Sequence, residues 1–258
     1  MPRRRERGPW FWRGAIALMM TSVFGLFAAA AMNQPPATDN VSGCRLDRQD
    51  PAHTIILVDQ SDPFIETDHD WVRALVSDEA RALPKYGRLT LAVPNSALAH
   101  DPKTIISVCS PGSADGANPI FQNPRMIEQA WRTRFQAPAM AGADTILLDT
   151  VAPSSPLLEA VFTLSARPDF QAGTPARRMI LVSDLMQHSR DFSMYRTGTD
   201  YEPFEASPLN ALRPRLDGVE VAARIVPRPE YPLPLVEVKA FWERWLTEAG
   251  TAGFASVN

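Results

Sequence analysis

Apolar positions fall into three kinds of run along this chain. The first is long and unbroken: GAIALMMTSVFGLFAAAAM, the nineteen residues from Gly14 to Met32, holds no charge. A helix of that length rises about 28 Å at 1.5 Å per residue, close to the hydrocarbon thickness of a bilayer. The second kind is short, aliphatic and β-branched: Thr54–Val58, Arg88–Val93, Thr104–Cys109, Arg178–Ser183 and Gly218–Val226. Such runs predict strands, and the uninterrupted ones predict strands buried on both faces. The third kind spaces its apolar residues as a helix does. Asp68 to Leu83 carries Trp71, Leu75, Ala82 and Leu83, with Thr67 or Asp68 as the expected N-cap. Asn123–Phe135 opens with Pro124, and Ser155–Ala166 also starts on a proline turn. Leu235–Ala249 sets Val238, Phe241, Trp242 and Trp245 along one face, and the glycines at 250 and 253 end it. Strands alternating with helices predict an α/β three-layer sandwich around a mainly parallel central sheet.

Composition adds an address. Arg3, Arg4, Arg5, Arg7 and Arg13 precede the long apolar run against a single Glu6, and Trp10, Phe11 and Trp12 stand at its entrance. Aromatic rings favour the headgroup zone, and the positive-inside rule keeps the arginines in the cytoplasm. Residues 1–13 then read as a cytoplasmic tail and 14–32 as a single-pass transmembrane signal anchor. The polar, proline-bearing stretch 33–52 reads as a linker, 53–250 as the exported domain and 251–258 as a tail. The layout is that of a bacterial inner-membrane protein with its C-terminal domain in the periplasm or outside the cell. Ala28 to Ala31 also offers an A-x-A-like cleavage site, so removal of the segment stays open. Val41-Ser42-Gly43-Cys44 has the look of a lipoprotein box but lies too far past the apolar run. In the whole chain, 45% hydrophobic and 21% charged residues over 258 positions are ordinary for a globular fold, and a net charge of −3 gives no field for nucleic acid.

The chemistry sits where strands stop. Thr54–Val58 ends in Asp59-Gln60-Ser61-Asp62-Pro63, a later helix opens at Ser154-Ser155-Pro156-Leu157, and Arg178–Ser183 ends in Asp184. In mainly parallel sheets such strand ends gather into one crevice where the strand order reverses. Taken singly, each residue is an ordinary turn or helix cap. Together and in this order they resemble the von Willebrand factor A domain and its metal-ion-dependent adhesion site. In that family a strand ends in D-x-S-x-S, a threonine opens a later helix, and a further strand ends in aspartate. The resemblance covers roughly residues 53–250. It implies a Rossmann-like sandwich and a set of ligands, Asp59, Ser61, Ser155 and Asp184, for Mg²⁺ or Mn²⁺. The fifth motif position is Pro63, which has no hydroxyl, so the resemblance implies a degenerate site with Asp62 as a substitute oxygen.

The family topology also implies a third strand running antiparallel, which carries Cys109 to the sheet edge near Cys44. A disulfide between these two cysteines is the expectation, with free thiols as the alternative. The D-x-S-D pattern is also reminiscent of haloacid-dehalogenase-like phosphatases, but the third position is Ser61 rather than an acid. No nucleophile elbow or phosphate loop is present, and the four histidines lack metal-ligand spacing. The expectation is therefore a non-catalytic module that binds another protein. Its binding loops would be 59–66, 152–156 and 185–207, with Asp62, Phe64, His188 and Tyr195 as contact residues and Phe192, Tyr201 and Phe204 adding aromatic surface. A different reading makes the chain a structural subunit of an envelope, secretion or conjugation assembly. That subunit would act through its transmembrane helix, where Gly14, Gly25 and the alanine run allow close packing.

Overall fold

A computed structural model describes residues 8–32, 34–116, 122–147, 151–171, 173–226 and 232–257. The arginine cluster at 3–7 lies outside the described residues. The chain divides into two compact units, Met1–Ala37 and Thr38–Asn258. The first contains α1 (Pro9–Met32), a helix whose stretch Trp10–Ala28 is long and apolar enough to cross a membrane.

The second unit is a sheet sandwiched between helices. Its strands are β1 (Ala52–Val58), β2 (Arg88–Val93), β3 (Lys103–Cys109), β4 (Ala176–Ser183), β5 (Val219–Ile225) and β6 (Gly253–Val257). They lie in the order β3-β2-β1-β4-β5-β6, every pair parallel except β2 with β3. Strand order therefore reverses between β1 and β4, the two strands that carry Asp59 and Asp184. All seven residues of β1 are buried, because successive side chains point to opposite faces and both faces are covered. Ile55 and Leu57 pack on one side with α5 (Leu157–Ser165) and α9 (Leu235–Glu248). Ile56 and Val58 pack on the other with α2 (Glu66–Ala82), α3 (Pro124–Trp131) and α4 (Ala137–Leu147). Short helices α6 (Pro168–Gln171), α7 (Met194–Thr197) and α8 (Tyr201–Glu205) complete the unit.

Four expectations are corrected. The tail expected from 251 forms β6, an edge strand paired with β5 from Gly253 to Val257. The helix expected to stop at Phe135 runs on through a π turn, Arg132–Gln136, into α4. There the Ala137 N–H reaches back to the Arg132 carbonyl, a wider loop that lets Pro138 pass without ending the helix. Helix α2 begins after Ile65 rather than at Thr67 or Asp68. Asp68 works from inside the helix, its Oδ2 accepting the Ile65 N–H at 3.1 Å. The linker is ordered from Thr38 onward: Asp39 Oδ1 accepts the N–H groups of Val41 and Ser42, and Cys109 N donates to Ser42 O at 2.8 Å. Gly43 has φ +70°, and a Cβ there would lie 3.2 Å from the Cys109 carbonyl, so the turn needs glycine. Cys44 and Cys109 are joined by a disulfide at the amino edge of the sheet.

A buried polar network lies near the same edge. His53 is fully buried, with Nε2 2.8 Å from Thr90 Oγ1 and Nδ1 3.2 Å from the Asp169 carbonyl oxygen. Burial, the largest cause, lowers its pKa from 6.5 to about 4. Between those values the unfolded chain takes up a proton that the folded chain refuses, so stability is present above pH 6.5 and is lost as pH falls through 4. Against His53→Gln, the wild-type chain should lose about 3 kcal/mol more between pH 7 and pH 4, read from urea midpoints. A parallel pH dependence in the two chains would refute the assignment.

Candidate functional site

The site is built from three chain segments that the sheet brings to one edge. Asp59 follows β1 directly, and its N–H donates to the Val182 carbonyl of β4 at 2.9 Å. This bond places residue 59 beside Ser183. The Asp59 carboxylate is then met from every side. Oδ1 accepts the Ser61 N–H at 3.0 Å, while Oδ2 accepts the hydroxyls of Ser155 at 2.7 Å, Ser183 at 2.9 Å and Ser61 at 3.1 Å. Asp59 is 3% exposed, and burial pushes its carboxyl above the ordinary range while the serine hydrogen bonds pull it back.

The segment after β4 is locked by local bonds. Ser183 Oγ accepts the Leu185 N–H, and Asp184 Oδ1 accepts the Met186 N–H at 2.9 Å. Leu185 has φ +65°, a left-handed conformation costing about 1 kcal/mol for a branched residue. It is held because its side chain is buried and its carbonyl accepts the indole N–H of Trp242 in α9 at 2.8 Å. Farther on, Ser155 and His188 exchange both backbone hydrogen bonds, at 2.8 and 2.9 Å, which fastens the start of α5 to the segment following β4. Beneath this bridge, Gln187 donates to the buried Glu159 and accepts from the Leu158 N–H, both at 2.9 Å. Burial raises the Glu159 carboxyl above its usual range.

Asp59, Ser61, Ser155 and Asp184 thus share one edge at the β1/β4 reversal. Of the expected contact residues, Asp62, His188 and Tyr195 line a cleft of about 300 Å³ there, together with Ser61, Ser154 and Ser155. Tyr195 is 53% exposed and meets the His188 ring edge-on, 5.4 Å between centroids. Phe64 does not line this cleft. It is half-buried and packs on the core under α2. Nor do Phe192 and Phe204 offer surface: both are buried in an aromatic cluster with Phe241, against which Tyr201 also packs. Ser183 and Gln187 belong to the assembly and were not among the expected ligands. Their only signal in the sequence is a position flanking Asp184.

Hard oxygens of this kind suit Mg²⁺ or Mn²⁺, which bind through one or two carboxylates and waters. The residues as arranged do not present such a shell. A carboxylate has about four lone-pair sites, and four donors already meet Asp59. Asp184 Oδ1 is turned to a backbone N–H, Ser183 Oγ accepts one, and Pro63 gives no oxygen from a side chain. Among the described residues no three His, Cys, Asp or Glu side chains gather to hold a metal.

No protein-family model matches the chain, and no curated protein does. Among solved structures it is similar to the ArnB paralog VWA2 from Sulfolobus acidocaldarius, at 13% identity and a TM-score of 0.43, over 81% of this chain and 41% of that one. It is similar to an aerotolerance-related membrane protein from Bacteroides fragilis, at 12% identity and a TM-score of 0.37, over 80% and 92%. A third likeness is to the pilus adhesin SpaC from Lactobacillus rhamnosus GG in its open conformation, at 10% identity and a TM-score of 0.45, over 87% and 29%. The chain spans less than half the length of the first and third. Likenesses at this level concern the fold alone. By its own strand order, with β3 alone reversed, the chain has a Rossmann-type three-layer α/β sandwich.

Proposed function

We propose that this chain is a membrane-anchored, non-catalytic protein-binding module whose partner docks at the carboxyl edge of the sheet, over a degenerate cation site. The observation that carries this reading is the convergence of Asp59, Ser155 and Ser183 beneath an open cleft at the point where strand order reverses, the place where α/β sheets hold their ligands. The closed hydrogen-bond cage makes Asp59 a scaffold that aligns the three loops, so docking proceeds through shape and polar contact rather than through a resident cation. In this reading residues 14–32 are the anchor, the arginines stay in the cytoplasm, and the domain from residue 38 onward stands in the periplasm of a bacterial cell or outside it.

Site-directed cross-linking tests the reading. A photo-reactive amino acid placed at Ser154 in the full chain, in its own membrane, should give one discrete protein adduct, and the same residue at exposed Thr133 on the π turn should give none. Exchanging residues 1–32 for an unrelated anchor should leave the adduct in place. Adducts only from within the apolar helix, or loss of the adduct on exchange, would transfer the function to the membrane segment. A thermal shift with Mg²⁺ that disappears in Asp184→Ala would restore the cation.

A further inference from the structure

We infer that the turn at residues 38–48, pinned to the sheet by the disulfide, is a membrane-surface contact, with Val41 and Leu46 seated at the boundary between lipid headgroups and acyl chains. The inference rests on the anchored reading above and adds a second lipid contact, on the domain itself. Val41 is 92% exposed, more than any other large apolar side chain of the second unit among the described residues, and Leu46 is 63% exposed. Neither hangs from a slack linker. Asp39 Oδ1 accepts the N–H groups of Val41 and Ser42, the Asp39 N–H donates to the Cys44 carbonyl, and Thr38 bridges to Arg45. The Cys44–Cys109 bond and the Cys109 N–H on Ser42 O then fix the turn to the end of β3. A turn so held cannot fold its apolar tip back onto the core, and apolar surface leaves water wherever a cover is within reach.

Two observations name the bilayer as that cover. Cys109 pairs with Arg88, the first residue of β2, so the turn stands at the amino edge of the sheet. There the chain arrives from the apolar helix. From Met32 to Thr38 is six residue steps, a reach of at most about 20 Å, so the turn stays close to any bilayer that holds residues 14–32. The second observation is the surround of the tip. The Arg45 guanidinium and the Lys85 ammonium lie 5.9 and 5.0 Å from the centre of the Tyr86 ring, and Arg48 is exposed one turn further on. A tyrosine flanked by long basic side chains suits the headgroup zone, where the ring meets the apolar boundary and the cations reach lipid phosphates. The neighbouring acids are already engaged: Asp39 serves the N–H groups of the turn, and Asp47 pairs with Arg45 at 2.6 Å. Docked in this way, the amino edge meets lipid and leaves the cleft at the carboxyl edge open to a partner.

The test places an environment-sensitive fluorescent amino acid at Val41, Leu46 or Leu98 of the full chain. Leu98 is also an exposed apolar residue, but it follows the carboxyl end of β2, about 20 Å away along the strands. Each chain is reconstituted into vesicles of phosphatidylethanolamine and phosphatidylglycerol whose acyl chains are brominated to quench the probe. Probes at 41 and 46 should show a quenched lifetime component, and the probe at 98 none. Leu46→Gln should lower the ratio of quenched to unquenched component at position 41 about ten-fold, the loss expected for one leucine withdrawn from the apolar boundary. Masses after alkylation should show the disulfide intact in every chain, so that a misfolded variant is recognised. Absence of quenching at 41, equal quenching at 41 and 98, or a ratio indifferent to Leu46→Gln overturns the inference. Flotation separates this from the anchored reading: a chain that floats with the vesicles while position 41 stays unquenched sinks the surface contact alone. A chain that does not float sinks both.

Discussion

Replacing Cys44 and Cys109 together by alanine should lower the stability of the Thr38–Asn258 unit by about 4 kcal/mol. The two cysteines are 65 residues apart, and in the chain-entropy picture closing a loop of that length removes roughly this much freedom from the unfolded ensemble. The loop holds β1, α2, β2 and β3, so the bridge constrains half of the sheet before any strand pairs. For a unit of this size the loss corresponds to a fall in melting temperature of roughly 10 °C. Calorimetry on the wild type and the double variant measures it, and wild type in reductant should match the double variant. Masses after alkylation without reductant should show no free thiol. An unchanged melting temperature would mean that the bridge contributes nothing to the folded unit.

Asp59→Ala should cost a similar amount, about 4 kcal/mol, and for a different reason. Ser155 and Ser183 are 1% and 0% exposed, and the hydroxyls of both donate to Asp59 Oδ2. Without that oxygen each becomes a buried donor lacking an acceptor, a loss of about 1–3 kcal/mol apiece. Asp59→Asn keeps one carbonyl oxygen and should cost about half as much at pH 4. The pH dependence separates charge from shape. Because burial raises the Asp59 carboxyl, its contribution is full below pH 3.8 and is lost as pH rises through the folded value. The gap between wild type and Asp59→Asn should therefore narrow from pH 4 to pH 7, as read from urea midpoints. A gap that widens instead would place a compensating positive charge at the site.

Much of this architecture was legible in residue order. The β-branched runs at 54–58, 88–93 and 178–183 mark the strands because a strand covered on both faces has few polar positions to spare. Their ends are equally plain, since Asp59 and Asp184 break the apolar pattern where the chain leaves the core. The tryptophan stripe of α9 follows from helical spacing alone. Less was legible in the loops. Phe192 and Phe204 have the composition of a recognition surface, yet they fill the space between α8 and α9, and only the packing of those helices reveals it. Gly253–Val257 has too little β-branched character to announce a strand. It becomes one because β5 offers an unpaired edge beside it.

What residue order determined by itself is the set of local preferences: an apolar helix of membrane length, strand and helix periods, and polar groups at strand ends. These follow from side-chain size, branching and polarity within a few neighbouring positions. The tertiary structure alone decided which distant groups meet. Ser155 and Ser183 stand 96 and 124 residues from Asp59, and they close on one carboxylate oxygen because β4 is laid beside β1 in a register that puts residue 183 next to residue 59. That register is set by burial of both faces of the central strands at once, a condition no single segment contains.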